Sequence, residues 1–272
     1  MRIVVSPSQM RGRVEAPPSK SVTHRMVTLA ALAEGTTTIM NPLASDDTLA
    51  TLNAVTMLGA KTEQGEDRWT VEGGSLKAPG EAIHCGESGT TIRFMTAVSG
   101  LVPGSVKLTA GPSLSRRPMG PLLDALNSLG VEAHGEHGHP PITVHGKGAV
   151  GGGEAALPGD VSSQFVSALL LVAPLMRRPL TVRVTTPLQS WPYVQMTMDA
   201  MEVFGVKAEA SPGRDRLTAP TGKYAASDVN VEGDWSSASI LLAAGAIGGE
   251  VSVGNLDSGS SQADTEIGRA HV

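Results

Sequence analysis

Three glycines, Gly59, Gly130 and Gly205, each close a helix-patterned stretch and fall 71 and 75 residues apart. This spacing constrains the fold more than any other feature of the chain. The stretches they end run over 49–58, 121–129 and 194–204, and each is followed by strand-like sequence: Ala60-Lys61, Val131-Glu132 and Val206-Lys207. Glycine just beyond a helix accepts the left-handed conformation that terminates it. Recurrence at a fixed period marks a fold made of repeated supersecondary units.

Each of these helices is preceded by another, opened by small polar residues suited to capping: Ser19-Lys20-Ser21, Ser88-Gly89-Thr90 and Ser162-Ser163-Gln164. Strands are expected at 36–40, 106–109 and 180–184 after the first helices, and at 69–72, 142–145 and 216–219 after the second. One unit therefore reads β-α-β-α-β-β. The first helices are apolar nearly all round at 26–33, 165–173 and 240–247, so they belong inside, covered by sheets.

A fourth unit begins with a strand at 228–231, a helix at 235–247 opened around Ser236-Ser237, and a strand at 250–254. Its second helix and last two strands do not follow, so we expect a chain cut within that unit. A half-built unit leaves an apolar face and a sheet edge uncovered. The final stretch Ile267-Gly268-Arg269-Ala270-His271-Val272 reads as a translated sequencing adapter, and a non-native tail is expected over 267–272.

At 272 residues the chain can bury a large core. With 32 glycines and only 3% aromatic residues, that core must rest on aliphatic side chains between many tight turns. The net charge of −5, without long charged runs, excludes the broad basic surface that nucleic acid or an anionic membrane needs. The longest apolar run, 165–176, is too short to span a bilayer, and Met1 to Ser8 has no signal-like core. A single cysteine, Cys85, rules out an internal disulfide and fits a reducing compartment; the cytoplasm is the expected location.

Chemistry-bearing residues gather at the helix starts. Free N–H groups and the positive end of a helix dipole attract anions, and neighbouring cations reinforce them. Lys20 and Ser21 stand at one start, with Arg25 a turn further on. Gly89 opens another, followed by Arg93. Arg116-Arg117 precede a third helix, and Ser162-Ser163-Gln164 and Ser190-Trp191-Pro192-Tyr193 supply neutral donors. Taken singly, each is a capped helix with a solvated cation nearby. Recurrence in equivalent places of successive units suggests convergence on one ligand carrying more than one anionic group.

The segments Ala16-Pro17-Pro18-Ser19-Lys20-Ser21-Val22-Thr23-His24-Arg25, Gly86-Glu87-Ser88-Gly89-Thr90-Thr91-Ile92-Arg93, Arg117-Pro118, Asp160-Val161-Ser162-Ser163-Gln164 and Val231-Glu232-Gly233-Asp234-Trp235-Ser236-Ser237-Ala238 occur in this order. Together they make the chain resemble the 5-enolpyruvylshikimate-3-phosphate synthases. The resemblance implies an α/β enolpyruvyl-transferase fold of β-α-β-α-β-β repeats, with buried helices, outer sheets and, here, an incomplete second domain. It divides the chain into a first strand segment at 1–18 belonging to the other domain, a three-repeat substrate-binding domain at 19–226, and the start of the second domain at 227–266.

The implied activity is transfer of the enolpyruvyl group of phosphoenolpyruvate to the 5-hydroxyl of shikimate 3-phosphate, with release of phosphate and no metal or organic cofactor. Lys20, Gly89, Arg93, Arg117 and Gln164 would meet phosphoenolpyruvate. Ser21, Arg25, Ser162, Ser163, Gln164, Ser190 and Tyr193 would hold shikimate 3-phosphate, and Lys20 would also act in catalysis. The resemblance places the acid and base carboxylates in the second domain, beyond the present C-terminus, and implies a monomer when complete. A second reading makes the chain a shikimate-3-phosphate-binding module without turnover. The related UDP-N-acetylglucosamine enolpyruvyl transferases fit less well, because they carry a Lys-Asn pair where this chain has Lys20-Ser21, and a reactive loop cysteine.

Other signals carry less. Gly146-Lys147-Gly148-Ala149-Val150-Gly151 spells a dinucleotide fingerprint, but no helix pattern follows it. His134, His137 and His139 cluster near an expected hairpin turn, where a solvated loop explains them as well as a metal does. Asp46-Asp47 reads first as a helix cap and second as a cleft-supporting pair, and Cys85 as a buried structural thiol.

Overall fold

The computed structural model describes residues 9–269. The first unit comprises α1 (Lys20–Leu32), β2 (Gly35–Met40), α2 (Asp46–Met57), β3 (Lys61–Gln64) and β4 (Arg68–Gly73), preceded by β1 (Met10–Glu15). The second comprises β5 (Ile83–His84), α3 (Gly89–Ser99), β6 (Pro103–Thr109), α4 (Gly120–Ser128), β7 (Glu132–Glu136) and β8 (His139–Lys147). The third comprises β9 (Gly153–Leu157), α5 (Ser163–Val172), β10 (Leu180–Val184), α6 (Trp191–Val203), β11 (Glu209–Ala210) and β12 (Arg216–Ala219). Then come β13 (Val229–Asn230), α7 (Trp235–Gly248), β14 (Gly249–Gly254) and α8 (Thr265–Arg269). The expected non-native tail thus begins inside α8, and 270–272 lie outside the described residues.

The repeat is visible in the sheets. The second has the order β5-β6-β8-β7 and the third β9-β10-β12-β11. In both, the opening strand is parallel to the strand after the first helix, and the last two strands are antiparallel. Gly59, Gly130 and Gly205 sit just past α2, α4 and α6 with φ of +116°, +85° and +87°, the left-handed backbone that ends each helix.

The first sheet has the same plan, β13-β2-β4-β3, but its opening position is filled from the far end of the chain. The strand expected to start the fourth unit, β13, pairs in parallel with β2, with Val229 beside Ile39. Conversely, β1 pairs in parallel with β14, Met10 beside Gly249 through Glu15 beside Gly254. The two strand-to-helix connections therefore cross. Where they do, Ser19 N donates to Glu232 O at 2.8 Å and Asp234 N to Pro17 O at 2.7 Å.

Five helices close a ring inside the sheets: α1 touches α2 and α6, and α3 touches α2 and α5, which in turn touches α6. The apolar first helices are buried as expected, α1 from Val22 through Leu32 and α3 from Thr91 through Ser99. Hydroxyls within them bond back one turn, Thr28 to His24 O, Thr96 to Ile92 O and Ser99 to Met95 O, which satisfies polar groups in an apolar interior.

The fourth apolar helix departs from expectation. In α7 only Trp235, Ala238 and Gly245 are buried, while Ile240 is 72% and Ile247 89% exposed. Among the described residues its cover consists of β1, β14, α8 and the 257–262 loop, which meets Trp235, without the second helix and antiparallel pair that enclose α1, α3 and α5. Its cap also differs: Asp234 accepts from Ser237 N at 2.8 Å, and Ser236 and Ser237 lie within the first turn.

Candidate anion-binding site

The starts of α1, α3 and α5 are capped by Ser19, Ser88 and Ser162, whose hydroxyls accept from Val22 N, Thr91 N and Gln164 N. Their neighbours in the helix ring bind these starts together.

Arg93 and Arg117 approach Gly89 from two sides. A methyl built on Gly89 would lie 2.9 Å from Arg93 Nη1 and 3.7 Å from Arg117 Nη1, so glycine is what leaves the space open. Arg93 is buried, stacks over the Phe165 ring at 5.3 Å and donates from Nη1 to Gln164 Oε1. Gln164 Nε2 donates in turn to Thr90 Oγ1 at 3.0 Å, which joins α5 to α3. Burial first, and the Arg117 charge second, lower the Arg93 guanidinium to about 10.

Neither arginine is neutralised by a carboxylate among the described residues, and Arg93 Nε has no partner. Two like charges beside a bare glycine, one with a buried unused donor, form an arrangement that an anion completes. Glu87 fixes the Arg117 loop from outside it: its carboxylate accepts from Leu114 N at 2.7 Å and Ser113 N at 3.2 Å.

Lys20 joins this group through α2. Its Nζ meets Asp47 Oδ2 at 2.9 Å, half exposed. The backbone oxygen of Asp47 lies 3.1 Å from Thr91 Oγ1, two residues into the helix that Gly89 opens. Asp47 is thus not the cap expected of it. Ser45 caps α2 in a reciprocal arrangement with Thr48, which leaves the Asp47 carboxylate to Lys20.

Behind them runs a buried polar chain. His24 Nδ1 lies 2.7 Å from Thr51 Oγ1, Thr51 Oγ1 2.6 Å from Thr91 Oγ1, and Ser88 Oγ 2.6 Å from Thr91 Oγ1. The Thr91 hydroxyl donates toward Asp47 O and Ser88 Oγ, so Thr51 donates to Thr91 and His24 Nδ1–H donates to Thr51. His24 Nε2 is then a bare buried acceptor. Burial pushes its pKa down to about 3, Asp47 opposing and Arg25 and Lys20 adding to the shift.

The serine-rich side is organised by Arg25. Buried, and lowered to about 10 by desolvation, it donates to Ser21 O at 2.8 Å, Thr197 Oγ1 at 2.8 Å and Tyr193 O at 2.7 Å. Its bonds fix the backbones of Ser21 and Tyr193. Ser190 opens α6 in the left-handed region at φ +56°, a conformation that costs a non-glycine residue about 1 kcal/mol. The hydroxyls of Ser190 and Tyr193 bond to nothing among the described residues. Ser162 and Gln164 are half-buried, and Ser163 is buried beside them.

Structure thus brings Gly89, Arg93, Arg117 and Gln164 together, links Lys20 to them, and ties Ser21, Arg25 and Tyr193 into a second group. Sequence reasoning missed Thr51, Thr90, Thr91, Thr197 and Glu87. The pairing of two threonines at the start of α3 was the only local signal. A cavity of about 500 Å³ lies elsewhere, between α1, α6 and the 255–261 loop. Asp199, Glu232 and Asp257 line it, and their charge disfavours an anionic ligand. Cys85 is buried with its thiol pushed up to about 12, as a structural residue should be. His134 faces His145 rather than His137, and 146–151 runs from a strand into a turn without a helix.

Fold and site define a repeat-built α/β protein whose inward helices bring together a candidate anion-binding site. The chain belongs to the EPSP synthase (3-phosphoshikimate 1-carboxyvinyltransferase) family, whose model matches residues 4–271. It is 46% identical over 271 residues to the 3-phosphoshikimate 1-carboxyvinyltransferase of Methanocorpusculum labreanum, covering 98% of this chain and 63% of that protein. To the protein of the same name from Methanothermobacter thermautotrophicus it is 48% identical, covering 95% and 61%. An EPSP synthase structure from Acinetobacter baumannii superposes with a TM-score of 0.83 at 26% identity, over 96% of this chain and 60% of that one. The chain therefore spans about three-fifths of the length of these relatives. Among the described residues no helix is long and apolar enough to cross a membrane.

Proposed function

We propose that this chain is the substrate-gripping part of an enzyme that transfers the enolpyruvyl group of phosphoenolpyruvate to the 5-hydroxyl of shikimate 3-phosphate. The observation that carries this reading is the pair of unneutralised guanidinium groups, Arg93 and Arg117, flanking the open space at Gly89. Phosphoenolpyruvate brings a carboxylate and a phosphate to a site with several cations, where Asp47 meets the Lys20 ammonium and Asp234 accepts from the Lys20 backbone N–H. Gln164 orients Arg93, and Lys20 stands to stabilise charge on the departing phosphate. Ser21, Ser162, Ser163, Ser190 and Tyr193, set in place by Arg25, supply neutral donors for the hydroxyls and phosphate of shikimate 3-phosphate.

In the reaction the 5-hydroxyl adds to the enol carbon as the methylene is protonated, and phosphate then leaves the tetrahedral adduct. The acid and base for these steps belong to a second domain, of which 1–18 and 227–266 are the portions in this chain, with 19–226 as the first domain. The reading places the complete protein in the cytoplasm as a monomer.

The exposed α7 favours a second reading for the 272-residue chain itself, namely ligand binding without turnover. Titration calorimetry with shikimate 3-phosphate, paired with a phosphate-release assay, separates the two. Heat of binding with no phosphate release supports the binding module, and turnover by this chain contradicts it. A chain completed to the relatives' length that released no phosphate from the two substrates would sink the enzymatic reading.

A further inference from the structure

The outer face of the second sheet carries a group that the cleft does not use. Alternation along β7 turns Ala133 inward, where it is buried, and Glu132 and His134 outward. On β8, Ile142 and Val144 are buried, while His145 stands directly opposite Glu132 and Thr143 opposite His134. The ligand atoms of Glu132, His134 and His145 all lie within 4.8 Å of one another. The two imidazole rings are 5.6 Å apart, inclined at 31°. Among the described residues these three side chains enter no hydrogen bond or ion pair. His137 and His139 are not part of the group: His137 sits in the turn, and His139 Nδ1 lies 2.9 Å from the His137 carbonyl.

We propose that Glu132, His134 and His145 form a binding site for a divalent first-row transition ion, with Zn²⁺ as the fitting occupant. Two imidazoles and one carboxylate suit Zn²⁺ and its neighbours rather than Mg²⁺ or Ca²⁺, which take oxygen ligands. Three protein ligands on an exposed face leave the fourth position to water. The ion would bridge two strands of which β7 is the sheet edge, next to the irregular register at Gly135/Glu136. Its role would be to pin that edge to β8 and make it less available for pairing with other chains. The site lies outside the cleft and takes no part in the reaction proposed above.

Titration of the metal-free chain with Zn²⁺ tests this. Saturable binding of one ion per chain is expected, along with slower amide exchange in β7. His134→Ala and His145→Ala should each weaken binding by about tenfold or more, since even the loss of an outer-shell contact commonly costs that much. His137→Ala should leave affinity unchanged. Co²⁺ provides a second readout on the unmodified protein, with visible bands of a nitrogen-ligated low-coordinate ion. Absence of saturable binding, equal loss in His137→Ala, survival of binding in the His134→Ala/His145→Ala double variant, or a purely oxygen-ligated Co²⁺ spectrum would each overturn the assignment.

Discussion

The Lys20 ammonium is held at 2.9 Å by the Asp47 carboxylate, which stands at the start of a different helix. The pair is half exposed, so its contribution to stability is at most about 1 kcal/mol. Its importance lies in where it leaves the cation. Lys20→Met should weaken binding of phosphoenolpyruvate or shikimate 3-phosphate while barely moving the melting temperature. Asp47→Asn removes a competitor for the ammonium and should hold or tighten anion affinity. Calorimetric titration of both variants checks this, and an Asp47→Asn variant as weak as Lys20→Met would show that the carboxylate itself is needed.

Gly89→Ala places a methyl 2.9 Å from Arg93 Nη1. That guanidinium cannot easily retreat, because it is buried over Phe165 and bonded to Gln164. We expect phosphoenolpyruvate affinity to fall on the order of tenfold, equivalent to about 1.4 kcal/mol, with a smaller effect on shikimate 3-phosphate. Arg117→Ala should lose anion binding without losing stability, because Arg117 is exposed and only repels Arg93. His137→Ala serves as the control. Unchanged phosphoenolpyruvate binding in Gly89→Ala would place the glycine outside the site.

Much of the fold is legible because helix-ending glycines and apolar runs are local properties, and Gly59, Gly130 and Gly205 report them directly. The exchange of β1 and β13 between sheets is not. A strand of two residues such as Val229-Asn230 carries no pattern to name its partner, and the pairing depends on which sheet has an open edge. Charged candidate residues such as Lys20 and Arg93 are legible because their types are uncommon near helix starts. Thr51 and Thr91 are not, since a threonine in a helix reads as a weak helix former until its hydroxyl is seen to meet one from another helix. The burial expected for α7 fails for a related reason: an apolar helix specifies that it needs cover, not that the cover is there.

The threonine chain predicts a coupled loss. Thr91→Val leaves Thr51, Ser88 and the Asp47 carbonyl each short of a partner in a buried setting, a cost of about 1–3 kcal/mol. Thr51→Val should cost a comparable amount. Because both break one chain, the double variant should lose less than the sum of the singles. Urea unfolding of the three variants measures this, and strict additivity would mean that the hydroxyls act independently.

His24 should make the protein sensitive to mild acid. Its pKa is about 3 in the fold, against an ordinary value near 6.5 for an exposed histidine. Above pH 7 neither folded nor unfolded chain carries the proton, and the group does not affect stability. Between pH 6.5 and 3 the unfolded chain binds a proton that the buried imidazole refuses, so stability falls as pH is lowered, by about 1 kcal/mol per unit from this group. Below the folded value both states are protonated and the contribution levels off. His24→Asn keeps a donor for Thr51 but cannot titrate, so its unfolding free energy should depend less steeply on pH across that window. Denaturant unfolding of both proteins at pH 7, 6, 5 and 4 gives the comparison. Parallel pH profiles would mean that the folded His24 accepts its proton as readily as the unfolded one, through movement that opens the helix ring to water.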